Sequence, residues 1–124
     1  MHNPNRWPTV LRVLYALCLA GAAWNHLRIA LDHGLWWDYG GIPLFYQIFW
    51  TSLTFIDPLA VLLLLVRPRA GLILTAAIIV TDVLVNTSAT FIIGPDWQAL
   101  GAQMLFLAFV LATIGRAWPG RTAA

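Results

Sequence analysis

IPLFYQIFWTSLTFIDPLAVLLLLV, residues 42–66, is the most telling segment of the chain. Its length exceeds what a helix rising ~1.5 Å per residue needs to cross a hydrocarbon core of about 30 Å. Asp57 is its only charged residue, and the run closes on the basic triplet Arg67-Pro68-Arg69. A water-soluble domain would have to wrap such a helix on every side. The whole chain has 124 residues, 60% of them hydrophobic and 10% charged, against about 25% charged in ordinary soluble domains. Lipid is the solvent this composition suits.

Working outward, three further apolar stretches of similar length lie at 8–31, 70–93 and 97–118. The joints between them, 33–41, 67–69 and 94–96, are short and rich in Gly and Pro, which punctuate turns. Short joints turn consecutive helices antiparallel. The sequence therefore predicts one integral membrane domain over 1–124, all-α, with four transmembrane helices running up-down-up-down. The single Cys18 excludes an intramolecular disulfide or a CxxC motif. The arginines stand in ones and twos rather than on one face, so no nucleic-acid partner is expected. No cofactor and no metal are expected either, since no HxxxH or HxxE spacing accompanies His26.

Charge sets the orientation. Arg6, Arg12, Arg67, Arg69, Arg116 and Arg121 share one side, whereas the other holds Arg28 with Asp32, Asp38 and Asp96. The positive-inside bias makes the arginine-rich side cytoplasmic, giving N-in and C-in. Trp7, Trp36, Trp37, Trp97 and Trp118 fall at the boundaries, where an aromatic belt sits. The basic start and the small residues Ala20-Gly21-Ala22-Ala23 also have the look of a secretory signal. The apolar run continues through Leu27, Ile29 and Leu31, however, and its length is that of a span. The expected location is the bacterial cytoplasmic (inner) membrane, with the lipid bilayer as principal partner and a homodimer or larger membrane complex as the protein partner open to it.

The interruptions in the apolar pattern mark the candidate site. Arg12, Tyr15, Leu19, Ala22 and His26 form one stripe on the first helix. Tyr46, Trp50 and Asp57 share a side of the second, flanked by Gln47, Thr51 and Thr54, and Pro58 frees the Thr54 carbonyl. Thr75, Asp82 and Asn86 align on the third. Helix rise puts Asp57 about 14 Å and Asp82 about 18 Å from the cytoplasmic ends, with Gln103 near 22 Å. His26, Trp50 and Asn86 come about 24–27 Å up, forming an outer layer. A polar shaft is expected, and an ionisable residue at such depth marks function by default. Two carboxyl groups in a low dielectric resist being charged together. Such a pair suits taking up a proton, accepting hydrogen bonds from a ligand, or holding a cation. Small residues on the fourth helix, Gly101, Ala108, Ala112 and Gly115, would admit another helix closely.

The expected activity is binding or transport of a small amphipathic, lipid-like or cationic ligand, with or without a proton, by Asp57, Asp82, Asn86, His26, Trp50, Tyr46, Gln47 and Thr54. The joint holding His33, Trp36, Trp37, Asp38 and Tyr39 reads as an interfacial anchor or as a lid over the mouth. An accessory role in a membrane complex is the first alternative. An enzyme acting on a lipid-soluble substrate is the second, though no nucleophile, oxyanion arrangement or phosphate loop accompanies the acids. Four antiparallel helices with carboxyls at membrane depth loosely resemble the sterol-isomerase and sigma-2-receptor group, through His26 with Asp32 and through Asp57-Pro58. The likeness lies in architecture and not in motif spacing, so it implies the helix arrangement and assigns no residue a role.

Overall fold

The computed structural model describes residues 5–120; Arg121 lies outside them. Four helices account for nearly all of this span: α1 (Trp7–His33), α2 (Leu44–Val66), α3 (Pro68–Ile93) and α4 (Trp97–Ala117). The shortest, α4, has 21 residues, which at ~1.5 Å each still crosses a core of about 30 Å. All four are long and apolar enough to span a membrane, which defines the class: a small multi-pass integral membrane protein.

Local chemistry places the helix ends within two residues of the expected bounds. Pro43 occupies the N-cap of α2, and Pro68 opens α3 at a first-turn position, where its missing N–H is no loss. Gly34 and Gly94 end α1 and α3 with φ of 84° and 83°, a backbone region open to glycine. The Asp96 carboxylate accepts from Ala99 N at 3.1 Å and caps α4. The α2 helix runs unbroken through Pro58.

Each helix packs on its neighbours in sequence, and α1 also packs on α4. At the end where α1 begins and α4 finishes, here termed terminal, Arg12 Nη1 donates to the Ala117 carbonyl at 2.9 Å, a cation on the negative end of a helix. Thr113 donates to Phe109 O, so Tyr15, bonded to Thr113, is the donor of that pair. The Tyr15 ring meets Phe106 and Phe109 edge-on. Around it Leu19, Leu53, Ala60, Leu64, Leu72 and Val110 complete a sealed core. Outward the surface is apolar, with Phe91, Leu105, Leu31 and Ile48 among the exposed side chains. Such a girdle suits lipid tails and would aggregate in water.

At Gly71 the start of α3 lies against the backbone of Leu63 and Leu64, leaving no room for a Cβ. The small stripe on α4 lies elsewhere: Ala108, Ala112 and Gly115 are exposed, and a Cβ at Gly101 would meet nothing within 4 Å. Gly101→Ala is therefore expected to leave the monomer intact or stabilise it by up to about 1 kcal/mol through helix propensity. Thermal unfolding in detergent checks this. A large loss would mean that a partner helix sits on that face.

Candidate functional site

The opposite end of the bundle, here termed distal, holds a half-open cavity of about 260 Å³. All four helices contribute to it: Asn25, His26 and Ile29 from α1, Trp50 and Leu53 from α2, Asn86 and Thr90 from α3, and Leu100 and Gln103 from α4. Its size falls just under the about 300–1,000 Å³ of drug-sized ligand sites, so only a small molecule would fit it.

One wall is a hydrogen-bonded chain across three helices. Trp50 Nε1 donates to Asn86 Oδ1 at 2.7 Å, and Asn86 Nδ2 donates to Gln103 Oε1 at 2.9 Å. The carboxamide of Asn86 is thereby fixed in orientation, its oxygen toward α2 and its nitrogen toward α4. Gln103 keeps its own amide hydrogens available. At the rim Arg28 Nη2 donates to Asn25 Oδ1 at 3.1 Å and orients that side chain in turn.

Beneath the cavity lies an acid pair. Asp57 is fully buried at 0% exposure and Asp82 nearly so at 7%, and neither lines the cavity. Asp82 is close enough for its charge to act on Asp57. His26 Nε2 stands 3.8 Å from Asp57 Oδ2, beyond hydrogen-bond length but within reach of a small shift or one bridging water. Both oxygens of Asp57, Oδ1 of Asp82 and Nδ1 of His26 are buried with no hydrogen-bond partner in the protein. Unpaired groups of this kind cost about 1–3 kcal/mol each, and native proteins satisfy nearly all of them. His26 both lines the cavity and meets Asp57. It is the link between the open and the closed layer.

The remaining candidates are placed differently. Tyr46 donates to Ser88, which itself donates to Val85 O; its ring packs on Trp50. Gln47 donates to Ile42 O at 2.7 Å and so holds the entry to α2. Thr54 is half-buried, and none of these three lines the cavity. In the joint between α1 and α2, His33 stacks on Trp37, Trp37 lies against Tyr39, and Tyr39 lies against Trp50. Of this group Tyr39 alone enters the cavity wall. It takes φ 54° beside Gly40 and Gly41, a costly conformation for a tyrosine. Asp38 shapes the turn: its side chain accepts from Gly40 N and its carbonyl from Gly41 N and Ile42 N. Trp36 is 96% exposed and does not line the cavity.

The wall also includes Asn25, Asp96 and Ala99, which the residue pattern did not single out as site residues. Asn25 next to His26 at the top of α1 was the available signal. Asp96 carried only its charge and its place before a helix. Among the described residues no three His, Cys, Asp or Glu gather where they could hold a metal ion. Comparison with protein-family models, with curated proteins and with solved structures finds no match. The reading of the site therefore rests on its own geometry.

Proposed function

We propose that this protein binds a small amphipathic or lipid-like molecule, or a small cation, in the distal cavity. The carrying observation is the juxtaposition of a half-open cavity of about 260 Å³ with buried, unpartnered polar atoms on His26, Asp57 and Asp82 just below it. A polar or cationic head would sit against His26, Asn86 and Gln103, with Asp57 behind His26 offsetting positive charge. The apolar part would lie along Ile29, Ile93 and Leu100. No arginine lines the cavity, whereas Asp96 does, and Trp50 and Tyr39 offer ring faces to a cation.

In this reading the helices run up-down-up-down in the bacterial cytoplasmic membrane with both termini inside. The arginines support it: Arg12, Arg67, Arg69 and Arg116 gather at the terminal end, and the cavity opens at the end bearing Asp32, Asp38 and Asp96. The site then faces the non-cytoplasmic side. Transport would require a second state opening toward the arginines. The exposed face of α4 leaves room for a second copy or a larger complex alongside the lipid.

Native mass spectrometry of the protein released from its own membranes tests the reading. The wild type is expected to carry a small bound mass. Ala99→Trp, which places an indole in the cavity mouth without touching the core, is expected to lose it while remaining folded. Equal retention by both proteins would overturn the proposal.

A further inference from the structure

Three features of the closed layer go together. Asp57 and Asp82 are buried within electrostatic reach of each other, and three of their four oxygens are fully buried with no hydrogen-bond partner. On the distal side His26 both lines the cavity and stands 3.8 Å from Asp57. On the terminal side the core is closed by Ala60, Leu64, Leu72 and Val110, each buried to 2% exposure or less. The polar groups in that lower half are already committed: Thr75 donates to Gly71 O, Tyr15 to Thr113, and Thr113 to Phe109 O.

We propose that Asp57 and Asp82 form a proton-binding site loaded from the distal side alone, with His26 as the relay. This deepens the reading of the cavity as a binding site and rests on it for the route of entry. A proton from water in the cavity adds to Nε2 of His26, Nδ1 being buried, and gives the imidazolium. The imidazolium passes a proton from Nε2 to Oδ2 of Asp57, which becomes the neutral acid while His26 returns to its neutral form. Asp57 then holds the proton, and the nearby charge of Asp82 favours its staying. Charge and atoms balance at each step: one proton leaves the water and one carboxylate is neutralised.

Toward the terminal end the other ionisable groups are bonded elsewhere or exposed. On α1, Tyr15 is bonded to Thr113 and Arg12 to the end of α4. The single charged residue of α4, Arg116, is exposed near its terminal end. On α3 the other charge, Arg69, lies at the terminal end beside Gly120, and α2 holds no charged residue besides Asp57. The hydrophobic closure below the pair gives the site one door.

The experiment uses ligand-free full-length protein in vesicles with a buffered interior, followed by infrared spectroscopy of the carboxylic C=O stretch after an external pH step. Trp36→Cys in a Cys18→Ala background, labelled by an impermeant thiol reagent, counts the fraction of molecules with the distal face outward. The fast change in the band is expected to match that fraction, with the remainder responding only after a protonophore is added. Asp57→Asn should remove the band. His26→Leu and His26→Gln should keep the band at equilibrium but slow the fast phase about a hundredfold, the lower range of acid–base assistance. Two variants of different polarity separate loss of the relay from loss of the fold. A full-amplitude response at once, a fast amplitude matching the inward fraction, an unchanged rate in both His26 variants, or no band that Asp57→Asn removes would each overturn the proposal. None of these outcomes depends on the bound mass that tests the cavity, so the two readings stand or fall separately.

Discussion

Gly71→Ala is expected to destabilise this protein by about 3 kcal/mol or more, at or above the upper end of ordinary overpacking. The chain passes from α2 to α3 through Arg67 alone, and the first turn of α3 is pressed onto the last of α2. A methyl group at position 71 would overlap the backbone of Leu63 and Leu64. Flexible side chains swing away from such an overlap, but helical backbone cannot do so without moving a whole helix. Because α2 carries Trp50 and Asp57 while α3 carries Asp82 and Asn86, the displacement would also pull the site apart. Unfolding in detergent checks the stability, and the Gly101→Ala protein is the matched control with open space at its new methyl.

Asp57→Val is expected to do the opposite to stability and still damage function. The wild type keeps a carboxyl at full burial with neither oxygen hydrogen-bonded. Replacing it by an apolar side chain of similar size removes that desolvation cost, worth about 1–3 kcal/mol. His26 then loses the group that offsets its charge. A bound cation or a charge-assisted hydrogen bond near His26 would lose about 1.5–3 kcal/mol, roughly ten- to a hundredfold in affinity. A variant that is both more stable and less able to retain ligand marks Asp57 as held against stability for a purpose. A variant that unfolds more easily would make Asp57 part of the scaffold.

Much of this was legible in the sequence, for physical reasons. A bilayer tolerates few polar side chains, so Asp57, Asp82 and Asn86 stood out against the apolar runs around them. The helix ends were legible to within two residues because Gly34, Pro68, Gly94 and Asp96 fall in the short joints, whereas Pro43, read as part of the second span, caps it. Counting helix rise grouped Trp50 with Asn86, which the structure joins by a hydrogen bond. The same count set His26 about 10 Å or more above Asp57, yet their side chains come within 3.8 Å. The difference lies in side-chain direction. Every Cα–Cβ bond leans toward the start of its own helix. The start of α1 is at the terminal end and that of α2 at the distal end, so His26 leans toward the terminal end, Asp57 leans distally, and the two converge. Depth measured at Cα misses this.

What the pattern could not supply was rotation about each helix axis. Tyr46 and Gln47 lie within one turn of Trp50 in sequence, but they bond to Ser88 and Ile42 and stay outside the cavity. The glycines were misleading in the same way. The spaced small residues of α4 face outward, and the contact that needs a glycine is at Gly71, in a single position with no repeat to announce it.

Both proposed roles require a cavity that admits water from the distal side and ends above a sealed acid pair. Ala89 lines the cavity, whereas Ala60 is fully buried one turn beyond Asp57. Cysteine at each position, in a Cys18→Ala background, can be tested with a small impermeant methanethiosulfonate applied to one side of the membrane at a time. Ala89→Cys is predicted to react from the distal side only and Ala60→Cys from neither side. An unreactive cysteine at 89, or a reactive one at 60, would contradict the account.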